Sequence, residues 1–127
     1  LDELLAQSDI VTLHTPYSAD SHHLIGAAQL AKMKQSAILI HAARGGVVDE
    51  VALVEALRAG QIAGAAVDVL TTEPPPADHP LLSANLPNLL VTPHIAWASR
   101  QAQQRMADEV VENIAAFLRG ERRNRVV

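Results

Sequence analysis

Arg44, Glu73 and His94 lie far apart along the chain, yet each follows a short apolar run, and together they hold the parts for proton-coupled chemistry on a carboxylate-bearing substrate. A guanidinium forks two hydrogen bonds onto a carboxylate in a planar geometry that lysine does not match. An imidazole is the natural proton donor near neutral pH, and a neighbouring carboxylate fixes its tautomer and favours its protonated form. Taken singly, each residue has a plainer reading: a surface arginine, a hydrogen-bonded histidine, a solvated glutamate. Chemistry requires convergence. In an open parallel sheet the carboxyl ends of the strands share one rim where ligands bind, so residues from several strand exits can meet there.

Their neighbours sharpen the expectation. Gly45 and Gly46 follow Arg44 and permit a tight turn with close approach of another backbone or a ligand. Pro93 precedes His94 and limits the directions in which the imidazole can leave its strand. Asp68 sits inside Ala-Ala-Val-Asp-Val-Leu, where a carboxylate is costly to bury alone; capping a neighbouring backbone and binding a cofactor amide are equally open roles. His14, with Thr15 and Pro16 after it, closes the first apolar run on the same rim. His22, His23 and His79 show no metal-ligand spacing, so no metal site is expected.

The elements that must position these residues are legible as apolar runs at residues 10–13, 37–40, 65–70 and 89–91. Their lack of polar alternation predicts parallel strands covered by helices on both faces. A helix is predicted after an Asp49 cap, with Glu50 in its first turn, Val51, Val54 and Leu57 on one face, and Gly60 as its stop. Shorter helices are expected at residues 1–7 and 27–33. From residue 99 to 119, Ala102, Met106, Val110, Ile114 and Phe117 form one stripe, predicting a helix about 30 Å long, more than four short strands need. Pro74, Pro75 and Pro76 predict a stiff, extended loop that carries Glu73.

The fold class that follows is α/β: a partial doubly wound, Rossmann-like parallel sheet of about four strands with flanking helices and a long C-terminal helix. Residues 1–95 would form the strand-helix units, 96–120 the last helix and 121–127 a frayed tail. The 127 residues, 49% hydrophobic with a formal net charge of -4, suit one compact domain. The only dense basic cluster, Arg122, Arg123 and Arg125, is terminal, which argues against a nucleic-acid groove. No apolar run approaches a membrane span. Cysteine is absent, which excludes thiolate chemistry and fits a reducing cytoplasm.

Three motifs make a resemblance plain: Ala-Arg-Gly-Gly-Val-Val-Asp-Glu at residues 43–50, the segment 64–75 with Asp68 and Glu73, and Thr-Pro-His-Ile-Ala-Trp-Ala-Ser at 92–99. In order and spacing the whole chain resembles the C-terminal part of the NAD-binding domain of the D-isomer-specific 2-hydroxyacid dehydrogenases. The resemblance implies an NAD- or NADP-dependent reduction of a 2-oxo acid to a D-2-hydroxy acid. Arg44 would bind the substrate carboxylate and carbonyl, His94 would protonate the carbonyl oxygen, and Glu73 would orient His94. Asp68 would hold the nicotinamide carboxamide, and His14, Thr15, Pro16, Ala43, Arg44 and His94 would line the cofactor.

Glu73 separates the chain from formate-oxidising relatives, which carry Gln there. Trp97 is similar to the glycerate dehydrogenase and hydroxypyruvate reductase group and would lie near substrate. His41 and Ala42 depart from the usual Asn-Thr. No Gly-x-Gly-x-x-Gly occurs, so the Gly-rich first strand-helix unit and the substrate domain are expected to be absent, and the isolated chain inactive. A homodimer is implied for the full-length protein. Two other readings stand beside the enzyme: a cofactor-sensing regulatory module of corepressor type on the same fold, and a packing or dimerisation element.

Overall fold

A computed structural model describes residues 1–126; Val127, the last residue of the expected tail, lies outside the described residues. The chain divides into two compact units, Leu1–His94 and the residues from Ile95 onward.

The first unit is built on four strands, β1 (Ile10–Leu13), β2 (Ile38–His41), β3 (Gly64–Val67) and β4 (Leu89–Val91), all parallel and in the order β1-β2-β3-β4. Helices α1 (Asp2–Gln7), α2 (Ala27–Leu30), α3 (Glu50–Arg58) and α4 (Pro80–Ser83) precede or connect them. The register pairs Leu13 with His41 and His41 with Val67, which aligns the strand ends on one rim.

Asp49 caps α3 by accepting the Val51 and Ala52 amides, as its place in the sequence predicts. The buried face of α3 is Leu53, Val54, Ala56 and Leu57, whereas Val51 is exposed. The predicted stripe through Val51 is thus rotated by part of a turn. Expected helix 27–33 keeps α-helical geometry only over Ala27–Leu30, while α4 carries too few residues to show a period.

The expectation of helices on both faces of the sheet is not met in this unit. Burial alternates along the strands: Val11, Leu13, Leu39, His41, Ala65 and Val67 are buried, while Ile10, Ile38 and Leu90 are exposed. The strand order explains this. Each parallel connection steps in the same direction across the sheet, and connections of one hand stepping one way lay their helices on one face. The core is therefore one-sided, with Leu39, Ile25, Leu30, Leu53 and Ile62 fully enclosed.

The second unit holds α5 (Arg100–Leu118), capped by Ser99 through the Ala102 amide. Its apolar stripe is uncovered, with Met106, Val110, Ile114 and Phe117 all exposed. The basic segment after it is not simply frayed: Arg123 folds back onto Glu109 at 2.9 Å, and Arg119 pairs with Glu121 at 2.8 Å. Among the described residues no helix is long and apolar enough to cross a membrane.

Candidate active site

The strand exits deliver the three polar groups to one place. Arg44, Glu73 and His94 line a cavity of about 400 Å³ together with Tyr17, Gly45, Gly46, Val69, Leu70 and Thr71. Arg44 reaches it three residues past β2, His94 three residues past β4, and Glu73 six residues past β3 on a loop that folds back.

The fold-back has a local cause. Glu73 Oε1 accepts the Leu70 N–H at 2.8 Å, closing the loop on itself, and the His79 N–H donates to the Pro76 carbonyl at 3.1 Å, so residues 71–80 are not the uniformly extended strut expected from three prolines. Glu73 Oε2 is left facing His94 Nδ1 at 2.7 Å. The Leu70 amide, and then the His94 ring, hold the Glu73 carboxyl below the usual carboxylate range. The side chains are 36% and 42% exposed, so this pair works at a solvent-accessible surface.

His94 itself takes a left-handed backbone conformation, φ 55°, with its N–H donating to the Thr92 carbonyl at 3.0 Å. For a residue bearing a Cβ this geometry is uncommon and is found where surroundings over-determine it, often at functional sites. It completes what Pro93 begins: the ring turns sharply off the strand.

The glycines after Arg44 act as expected, and more tightly. A Cβ on Gly45 would stand 1.9 Å from the Leu70 carbonyl oxygen, so the loop after β2 lies flush against the loop after β3. Gly46 has φ 83°, and a Cβ there would meet the Tyr17 ring at 2.7 Å. The His23 N–H donates to the Gly46 carbonyl at 2.8 Å and pins the turn. Arg44, an exposed residue, donates from Nη1 to the Ala43 carbonyl at 2.8 Å.

Asp68 is 7% exposed and accepts a hydrogen bond from the Thr92 hydroxyl, so its partner is a side chain of the next strand's exit. It lines a second cavity with Glu73, Pro74, Pro93 and His94. His14, Thr15, Pro16, Ala43 and Arg44 line a third, of about 500 Å³, along the ends of β1 and β2. His14 Nε2 lies 3.0 Å from the Thr12 hydroxyl. Trp97 belongs to the second unit and is half exposed. Among the described residues no group of three or more His, Cys, Asp or Glu side chains is placed to hold a metal ion.

Some contributors escape sequence reasoning. Tyr17 borders two of these cavities and bonds to His22 Nδ1 at 3.2 Å, but a tyrosine in a polar loop carries no distinguishing pattern. His79 is buried and pairs with Glu50, which no spacing rule reveals.

The chain belongs to the D-isomer specific 2-hydroxyacid dehydrogenases: residues 1–96 match the NAD binding domain of that family. Among individual proteins it is 54% identical over 124 residues to the glycerate dehydrogenase of Methylorubrum extorquens, covering 98% of this chain and 40% of that protein. The crystal structure of D-lactate dehydrogenase with NAD+ from Lactobacillus jensenii superposes with a TM-score of 0.84 at 39% identity, covering 99% of this chain and 41% of that one. An acyclic imino acid reductase in complex with NADPH and D-Arg gives a TM-score of 0.83 at 34% identity, covering 99% and 39%. The chain thus spans about two fifths of the length of these relatives.

Proposed function

We propose that this chain supplies the acid-base and substrate-anion half of an NAD(P)H-dependent enzyme that reduces a small 2-oxo acid, of hydroxypyruvate or glyoxylate type, to the D-2-hydroxy acid. In this reading it is the C-terminal part of the dinucleotide-binding domain, completed by a Gly-rich strand-helix unit and a substrate domain. The observation that carries it is the Glu73–His94 contact at 2.7 Å on the rim of the cavity that Arg44 also lines.

The residues of the third cavity suit a dinucleotide's nicotinamide end: a groove along strand ends, walled by His14, Thr15, Pro16 and Ala43, with the Asp68 carboxylate at the next strand exit. The bound nicotinamide would supply the hydride; the chain's own residues do the rest. Arg44 forks onto the substrate carboxylate and orients the 2-oxo group. As negative charge grows on the carbonyl oxygen, the Arg44 guanidinium and a proton from His94 stabilise it. Glu73, ionised, accepts from Nδ1–H, so the transferable proton sits on Nε2, the ring atom facing away from Glu73. After transfer the imidazole is neutral, and its 42% exposed side chain takes up a proton from solvent.

Substrate preference follows from Trp97 and from the glycerate dehydrogenase relative. Absence of cysteine supports a cytoplasmic site, and the uncovered Met106, Val110, Ile114 and Phe117 on α5 support pairing into a homodimer. NADH and NADPH consumption by the complete enzyme with hydroxypyruvate, glyoxylate and pyruvate tests the reading. Turnover with at least one 2-oxo acid, lost in Arg44→Ala and His94→Ala, is expected. Tight NADH binding without turnover on any of them would favour a cofactor-sensing regulator instead.

A further inference from the structure

We propose that Glu50 and His79 are positioning residues: a buried carboxylate-imidazole pair that clamps the backbone of the Glu73 loop and so fixes the carboxylate that holds His94. The functional meaning of this clamp rests on the oxidoreductase reading; its geometry does not.

Glu50 opens α3 and is only 13% exposed at its side chain, against 5% for His79. Its Oε2 lies 3.2 Å from His79 Nε2, and its Oε1 accepts the Thr71 N–H at 2.7 Å. His79 Nδ1 in turn accepts the Leu81 N–H at the start of α4, so Nε2 carries the ring proton and donates to Glu50. One carboxylate therefore ties the beginning of α3, the beginning of α4 and the loop after β3 into a single unit.

The bond to Thr71 bears directly on the site. Leu70 and Thr71 are consecutive amides, and each donates to a different carboxylate, Glu73 and Glu50. The intervening peptide is pressed onto Gly45, where the Leu70 carbonyl occupies the space of a missing Cβ. Held on both sides, this peptide leaves Glu73 one free oxygen, and that oxygen faces His94 Nδ1. His41, buried nearby, feels the Glu50 charge, but burial outweighs it and holds the His41 ring below its ordinary titration range.

A pair that served stability alone would leave Glu73 titration unchanged in folded variants. Carbon-13 NMR of the chain follows the Glu73 carboxyl with pH, beside amide hydrogen exchange at Leu70 and Thr71. The wild type should show Glu73 titrating below the ordinary carboxylate range and both amides protected. His79→Leu and Glu50→Ala should move the Glu73 titration upward and release the Thr71 amide. His79→Gln, whose side-chain amide reaches Glu50 from the place of Nε2, should restore both. An unchanged Glu73 titration in folded His79→Leu and Glu50→Ala would overturn the proposal. So would a wild-type Thr71 amide exchanging like an unprotected loop, a result that needs no variant. In the complete enzyme, His79→Leu should lower kcat roughly ten- to a hundredfold, with KM little changed. If every form of the complete enzyme is inactive, the oxidoreductase reading fails while the clamp stands or falls on the NMR result.

Discussion

Glu73 bridges two partners with its two oxygens, the Leu70 amide at 2.8 Å and His94 Nδ1 at 2.7 Å, so the loop that carries the carboxylate and the ring that uses it are held by one group. A carboxylate anchored in this way cannot follow His94 if the ring swings. The imidazole, already set by a left-handed backbone, gains a fixed partner at Nδ1.

Glu73→Gln keeps the shape and the Leu70 bond but removes the charge. In the complete enzyme kcat should fall by about a hundredfold or more, the scale of losing an imidazole's orienting carboxylate. The pH profile carries a further sign. Glu73 is held below its ordinary value in the folded chain, so its bonds are intact above the ordinary carboxylate range and are lost as pH falls through the depressed value. The acid limb of kcat/KM due to Glu73 should therefore disappear in Glu73→Gln; its persistence would assign that limb to another group.

Gly45→Ala is expected to be severe for its size. The new methyl would stand 1.9 Å from the Leu70 carbonyl oxygen, and backbone rather than a side-chain tip must move. A loss of about 3 kcal/mol in urea unfolding is expected, the upper end of overpacking costs. Gly60→Ala meets nothing within 4 Å and suffers only its φ of 63°, so about 1 kcal/mol should be lost there.

His41 gives stability its own pH dependence. Both ring nitrogens are buried without a hydrogen-bond partner, and burial lowers the ring's pKa. The unfolded chain then binds the proton first, so the neutral buried ring leaves stability intact above about pH 6.5 and stability declines as pH falls below that. His41→Leu removes two unsatisfied polar atoms and the titration. Its urea midpoint should match or exceed the wild type at pH 7 and decline less by pH 5. An unaltered acid decline would show that His41 is not its source.

The one-sided sheet predicts opposite responses at adjacent positions. Leu39 is fully buried and Ile38 is 42% exposed. Leu39→Ala should cost about 3 kcal/mol, whereas Ile38→Thr should cost well under 1 kcal/mol. Chemical denaturation of the two variants distinguishes them.

Much of this was legible in the sequence because its signals are local. The strands at residues 10–13 and 89–91, the Asp49 cap and the Gly-Gly turn each follow from a few adjacent side chains. Strand exits on a shared rim then bring Arg44, Glu73 and His94 to one cavity without further information. What escaped depends on partners distant in the chain. Apolar runs announce strands, but which face is covered depends on strand order, here monotonic. Glu50 reads as a first-turn helix residue and His79 as a loop histidine; only their meeting makes them a buried pair. Asp68 could be read as a buried carboxylate in need of a partner, yet Thr92 as that partner required the β3–β4 register.

The most direct test is a crystal structure of the complete enzyme with its nicotinamide cofactor and a non-reacting 2-oxo acid analogue. The analogue's carboxylate should lie within about 3 Å of the Arg44 guanidinium and its carbonyl oxygen within the same reach of His94 Nε2, with Glu73 still on Nδ1. An analogue bound away from Arg44, or a His94 ring whose Nε2 faces away from the carbonyl oxygen, would contradict the proposed chemistry.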